Sequence, residues 1–161
     1  MIEKITKASG YFSAFTLALL VVFVLYDAIA RYFFSAGSIA IQELQWHLFD
    51  VVILIGIGYT LHLGAHVRVD IFYDRYSEKT KHLINMIGSI FFVLPFSFLI
   101  IYVGYDFVML SFEQLEASSN PGGLQWRFIV KSLMPIAFLL LSLQAVCEVI
   151  VSFKEYRGSS K

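Results

Sequence analysis

Four long apolar stretches dominate this sequence and constrain what it can fold into. They run over about residues 9–33, 42–62, 83–110 and 127–153. A helix that crosses a hydrocarbon core of about 30 Å needs about 20 mostly apolar residues, and each stretch reaches that length. Only 15% of the residues are charged, against about 25% in soluble domains. We therefore predict an all-α membrane protein with four transmembrane helices, in a single membrane domain over residues 1–161.

The segments between the spans differ in length and character. Residues 35–40 are just long enough to reverse the chain, so spans one and two should be antiparallel neighbours. Residues 118–123 read Ser-Ser-Asn-Pro-Gly-Gly, a strong turn signal. In the polar stretch 62–82 and directly after it, Phe72, Tyr76 and Leu83 recur at helical spacing. This spacing predicts a short amphipathic helix along the membrane interface between helices two and three; the alternative is an ordinary solvated connector.

The distribution of basic residues predicts the orientation of the chain. Nine of the twelve Lys and Arg residues lie in the N-terminus, the second loop and the C-terminal tail, and three lie on the opposite side. Because positive charge is retained on the cytoplasmic side, both termini should be cytoplasmic. Trp46 and Trp126 then fall near the outer interface, where an aromatic belt is expected.

The numbers of basic and acidic residues are equal. The chain therefore has no net positive charge that would favour nucleic acid as a partner.

The N-terminus also imitates a secretory signal peptide. Lys4 and Lys7 precede an apolar run that ends near Ala28-Ile-Ala30. However, the apolar run is longer than the usual hydrophobic region of about 7–15 residues. Cleavage would also leave three spans and place the basic residues of the C-terminal tail against the rule that positive charge stays cytoplasmic. We therefore predict an uncleaved first helix.

Ionisable side chains lie toward the ends of the spans, and the middle of each span is apolar. Secondary carriers place their substrate and ion sites near the midplane, on interrupted helices. Pro95 lies in the middle of the third span, and its neighbours Leu94 and Phe96 cannot coordinate an ion. The pattern argues against a self-sufficient transporter.

Two groups of polar residues share helical faces near the outer ends of spans one and two. Asp27 and Arg31 are four residues apart and can pair. Glu43, His47 and Asp50 form a second stripe, and Arg31 is expected to reach Glu43 across the short loop. One interpretation is an ion-pair cluster that faces another protein, with Asp50 in the contact. The other is that these groups extend into the lipid headgroups.

The segment after span two, His66-Val-Arg-Val-Asp70, is a further candidate contact. If it is extended, His66, Arg68 and Asp70 share one side. Arg68 would suit a lipid phosphate or a carboxylate of a partner. The alternative is a solvated loop that only sets the topology.

The sequence gives little indication of an enzymatic or cofactor-binding site. The single Cys147 lies in an apolar helix, where a thiol is inert, and no Ser or Cys is spaced to meet a His–carboxylate pair. Haem would need a second histidine at the depth of His47 on a facing helix, and the sequence places none there. We predict no catalytic residue, no metal site and no cofactor on this chain.

The order of several short motifs resembles the small permease subunit of tripartite ATP-independent periplasmic (TRAP) transporters. The motifs are Ala30-Arg-Tyr-Phe-Phe34, Gln42-Glu-Leu44, Gly56-Ile-Gly58-Tyr59, Gly64-Ala-His-Val-Arg-Val-Asp70, and Pro121-Gly-Gly-Leu124 followed by Trp126-Arg127, Lys131 and Pro135. Gln125 stands where the family often has proline. The resemblance covers about residues 11–144.

The resemblance implies a bacterial inner-membrane subunit in a stable complex with a large permease subunit. That partner would carry the substrate and Na⁺ sites, and a periplasmic binding protein would deliver an organic acid to it. Arg31, Glu43 and the segment His66–Asp70 match family motifs and would serve helix packing, subunit contact or phospholipid binding. Two rival functions stay open at this point: an independent four-helix efflux transporter, and an assembly subunit of another membrane complex.

Overall fold

The computed structural model describes residues 2–63 and 76–158, and every regular element in those ranges is helical. The elements are α1 (Ile2–Phe34), α2 (Ile39–His62), α3 (Glu78–Gly88), a π-helical turn (Ser89–Val93), α4 (Leu94–Glu113), α5 (Phe128–Lys131) and α6 (Leu133–Gly158). α3, the π-helical turn and α4 form one continuous helix, and α5 and α6 together form another.

Four helical segments are long and apolar enough to cross a membrane, which confirms the predicted number of spans. They are Lys4–Phe34, Ile39–His62, Glu78–Glu113 and Phe128–Arg157. At 1.5 Å per residue, the shortest is about 36 Å long and the longest about 54 Å. The longer ones therefore exceed the thickness of a hydrocarbon core.

α2 and α6 occupy the centre of the structure. α1 packs along α2, α2 packs on α6, and α3 and α4 pack on the other side of α6. Leu61, Leu141 and Ala145 form a small apolar core between the central helices. The flanking helices α1 and α4 present most of their apolar side chains outward, among them Tyr11 and Tyr102. Such outward faces suit lipid or another membrane protein.

Close packing at one end of α2 explains part of the Gly56-Ile-Gly58-Tyr59 motif. The Tyr59 ring lies against Gly10 of α1, where an added Cβ would come within 2.5 Å of the ring. Gly58 faces the backbone of Leu140 on α6, with an added Cβ 3.7 Å from that carbonyl oxygen. Small residues at these positions let the backbones of neighbouring helices approach.

The start of the third span differs from the predicted interfacial helix. Residues 78–88 form the first turns of the long third span and are not a separate helix, while residues 64–75 lie outside the described part. Asn85 donates a hydrogen bond to Glu148 at 3.2 Å, and His82 lies 3.1 Å from Glu155. Through these polar contacts α3 packs along α6. The third and fourth spans therefore form a helical hairpin.

The π-helical turn lies directly before Pro95. Proline has no N–H and its ring crowds the carbonyl of the preceding turn, and a widened turn relieves this crowding. Ser97 donates to the carbonyl of Val93 at 2.7 Å. The third span therefore continues through its proline and packs on α6.

Candidate functional site

The end of the structure opposite the chain termini holds the most connected group of polar side chains. At its centre is Glu43 of α2, which is only 8% exposed. Its carboxylate accepts hydrogen bonds from the Ser118 hydroxyl, from Asn120 Nδ2 at 3.1 Å and from the backbone N–H of Leu124 at 2.7 Å. All three donors belong to the loop of residues 114–127, here called the long loop. Glu43 therefore ties the start of α2 to the connection between α4 and α5.

The long loop is folded on itself so that its donors converge on Glu43. The N–H of Ser118 donates to the carbonyl of Leu124 at 2.9 Å, and the N–H of Gly123 donates to the carbonyl of Asn120 at 3.0 Å. Gly122 has a φ of +79°, which glycine adopts without a steric penalty. At Gly123 an added Cβ would lie 2.7 Å from Glu43 Oε2. The Pro-Gly-Gly motif thus provides both the turn and the space for the carboxylate.

A second carboxylate, Glu116, holds the base of the long loop. It accepts hydrogen bonds from Lys131 of α5 and from the Ser111 hydroxyl, the latter at 2.7 Å. Lys131 also lies 4.1 Å from the ring centroid of Phe107, in a cation–π contact. The hydrogen bond from Lys131, followed by that from Ser111, lowers the pKa of the Glu116 carboxyl below its ordinary value.

Asp27 and Arg31 form the predicted pair within α1. The guanidinium of Arg31 donates to the Asp27 carboxylate. Asp27 is almost fully buried, while the Arg31 side chain is 51% exposed. The predicted contact between Arg31 and Glu43 is wrong, because Arg31 pairs with Asp27 and the donors on Glu43 come from the long loop. The spacing within α1 and α2 contains no information about that loop, which joins the other two spans.

An open groove of about 500 Å³ runs between α1 and α2 beside Arg31. Gln42 and Trp46 line it near Arg31, and Leu20, Val24 and Phe49 make up much of its apolar part. The other predicted residue in this region, Asp50, is half-buried on α2. Its predicted contact with another protein stays a prediction.

The three remaining predicted contact residues, His66, Arg68 and Asp70, lie outside the described residues. Their predicted role in binding a lipid or a partner is therefore untested.

Sequence reasoning missed a polar network that joins three helices near the end of α2. The Thr6 hydroxyl of α1 donates to Gln144 Oε1 of α6 at 2.9 Å, and Gln144 Nε2 lies 3.4 Å from His62 Nδ1 of α2. Thr6 and Gln144 are both buried. The available signal was a glutamine within the apolar fourth span, since a buried amide in a membrane helix needs partners.

These contacts define a class of protein: a small helical membrane protein whose buried polar groups join its own helices and loops. Within the described residues no three His, Cys, Asp or Glu side chains converge as they would around a metal ion.

A family comparison makes the assignment more specific. The model of the DctQ family, described as "Tripartite ATP-independent periplasmic transporters, DctQ component", matches residues 20–155. The chain therefore belongs to this family of small membrane components of TRAP transporters, as its motifs indicate. No curated protein matches the chain.

Proposed function

We propose that this chain is the static small subunit of a TRAP transporter and widens the frame on which a large permease subunit moves. The observation that carries the proposal is the use of polar groups within the spans. Glu43, Asp27 and Gln144 each bond to groups of this chain. Polar groups that already hold a structure together are poorly placed to bind and release a solute.

The hydroxyl groups inside the spans support the same role. Ser13 of α1 donates across to the carbonyl of Val52 at 2.6 Å, and joins α1 to α2. Thr16 and Ser142 each donate to a carbonyl on their own helix. Such bonds satisfy polar groups in a medium without water and contribute to helix packing.

The outward faces of α1 and α4 are broad and rich in aromatic side chains, including Phe15 of α1 and Phe98 of α4. Association in lipid depends on packing quality and on a few polar contacts, because lipid supplies little hydrophobic drive. These faces would give the complex extended contact surfaces. We expect Arg31, Asp50 and the segment His66–Asp70 to take part in contacts with the partner or with phospholipid headgroups.

The finer features of the function follow from the family and from the charge pattern. The termini would be cytoplasmic, in the bacterial inner membrane. A periplasmic binding protein would deliver an organic acid to the complex, and uptake would be coupled to Na⁺. Substrate and Na⁺ would bind on the large subunit, so that this chain has neither a cofactor nor enzymatic activity.

Affinity purification of the tagged chain from its native membrane tests the proposal. Mass spectrometry of the purified material should identify a large multi-span permease in a constant ratio to this chain. Uptake into vesicles should require both subunits, and vesicles holding this chain alone should be inactive. Purification without a permease, or solute flux through the chain alone, would contradict the proposal.

A further inference from the structure

One carboxylate in the third span differs from those described above. Asp106 of α4 is exposed and makes no hydrogen bond or ion pair within the described residues. The residues three and four positions away on each side are Tyr102, Val103, Met109 and Leu110, and all four are exposed apolar or aromatic side chains. Because these positions share a helix face, Asp106 lies in the middle of an exposed apolar stripe, here called the Asp106 stripe.

The orientation of α4 directs this stripe away from the rest of the chain. Gly104 and Ser111 are buried, and Gly104 packs on Met134 and Pro135 of the fourth span. Asp106 is two residues from Gly104, a rotation of about 200° on a helix with 3.6 residues per turn. The carboxylate therefore points to the side opposite the fourth span.

The position of Asp106 along the helix makes exposure to lipid costly. α4 continues for seven residues beyond Asp106, to Glu113, a length of about 10 Å. Phe107 and Phe112, in those two turns, are partly exposed and contact Lys131 and Phe128 of α5. A charged group within a span is costly unless it is paired.

The chain supplies a cation to Asp27 but none to Asp106 on its own helix. Arg31 lies one turn after Asp27 and pairs with it, whereas the residue one turn after Asp106 is Leu110. No donor to Asp106 lies among the described residues, and a partner outside the chain can supply one. Aromatic side chains such as the adjacent Tyr102, which is 74% exposed, are enriched at protein interfaces.

We propose that the Asp106 stripe docks a transmembrane helix of the large permease subunit, and that this helix supplies a Lys or Arg side chain to Asp106. The proposal rests on the proposed function, since it locates on α4 a contact with the subunit that the function requires. An ion pair within the membrane would fix the rotation and depth of the two helices, while the apolar stripe around it supplies packing area.

The first experiment compares purified complexes that carry Asp106→Leu, Asp106→Asn or Glu113→Gln in the full transporter. Glu113→Gln is the matched control, because it removes an exposed carboxylate at the end of the same helix. Both Asp106 variants should weaken recovery of the large subunit by roughly three- to tenfold, and the control should match the unaltered chain. Unchanged recovery with Asp106→Leu would overturn the proposal.

A second measurement stays informative if a variant folds poorly. A photo-crosslinking amino acid replaces Tyr102 in the otherwise unaltered chain, and another replaces the exposed Phe153 of α6 as a control for background labelling. Adducts at position 102 should contain the large subunit. Adducts with lipid alone would show that the stripe faces the bilayer and would overturn the proposal.

The two proposals fail in different ways. If the unaltered chain brings no permease with it, the proposed function itself is wrong. If the permease is recovered equally with and without Asp106, and position 102 labels only lipid, then only the assignment of this face is wrong.

Discussion

Glu43 and Asp106 both carry carboxylates in membrane-spanning helices, yet they differ in burial and in hydrogen bonding. Glu43 is buried and accepts three hydrogen bonds from the long loop. Asp106 is exposed within an apolar stripe and has no partner among the described residues. The difference separates polar groups that hold this subunit together from one for which we propose a donor in a second protein. Four substitutions or titrations test that distinction.

The largest effect is expected at Glu43. Glu43→Ala removes the acceptor of three donors and leaves the Leu124 N–H without its partner, so the long loop should open. We expect the largest fall in melting temperature of the isolated subunit, together with faster proteolysis within residues 114–127. Glu43→Gln retains one carbonyl oxygen as an acceptor, so its melting temperature should lie between those of Glu43→Ala and the unaltered subunit. Normal melting and loop protection in Glu43→Ala would show that Glu43 does not hold the loop.

A smaller loss is expected when Arg31 is removed. Arg31→Ala leaves the buried Asp27 without its donor, and an unsatisfied buried group costs about 1–3 kcal/mol. The free energy of unfolding in detergent measures the effect. The double variant with Asp27→Asn should recover part of the loss, because no buried charge is left unpaired. If the double variant is less stable than Arg31→Ala, the pair is not the reason for the loss.

The Glu116 contact should make the stability of the long loop depend on acid pH. Because the pKa of Glu116 is lowered in the folded chain from its ordinary value of 4.5, its stabilising contribution is complete above that value. It is lost as the pH falls through the lowered pKa. Melting temperatures between pH 7 and pH 3 should therefore decline at the acid end, and Glu116→Gln should reduce that decline. Identical acid profiles would exclude this carboxylate as the cause.

The smallest effect on the isolated subunit is expected at Asp106. Asp106→Leu breaks no polar contact with any residue that the structure describes and extends an apolar face, so the melting temperature in detergent should be unchanged or slightly higher. The difference in melting temperature between Asp106→Leu and Glu43→Ala is the most direct test of whether the two carboxylates have different roles. A marked fall in melting temperature would place Asp106 among the groups that hold the subunit together.

Local patterns in the sequence were sufficient for the spans and for contacts within one helix. The pairing of Asp27 with Arg31 follows from their spacing of four residues, and the four spans follow from apolar length. The partners of Glu43 could not be found in this way, because Ser118 and Leu124 lie 75 and 81 positions further along the chain. The network of Thr6, Gln144 and His62 was missed for the same reason.

The sequence by itself therefore determined how many helices cross the membrane and how far their charged groups lie from the helix ends. Both depend on local hydrophobicity and on the rise of a helix per residue. Only the tertiary structure decided which carboxylates are satisfied internally, because that depends on helix rotation and on the fold of the long loop. The same rotation turns Gly104 toward the fourth span and leaves Asp106 facing outward.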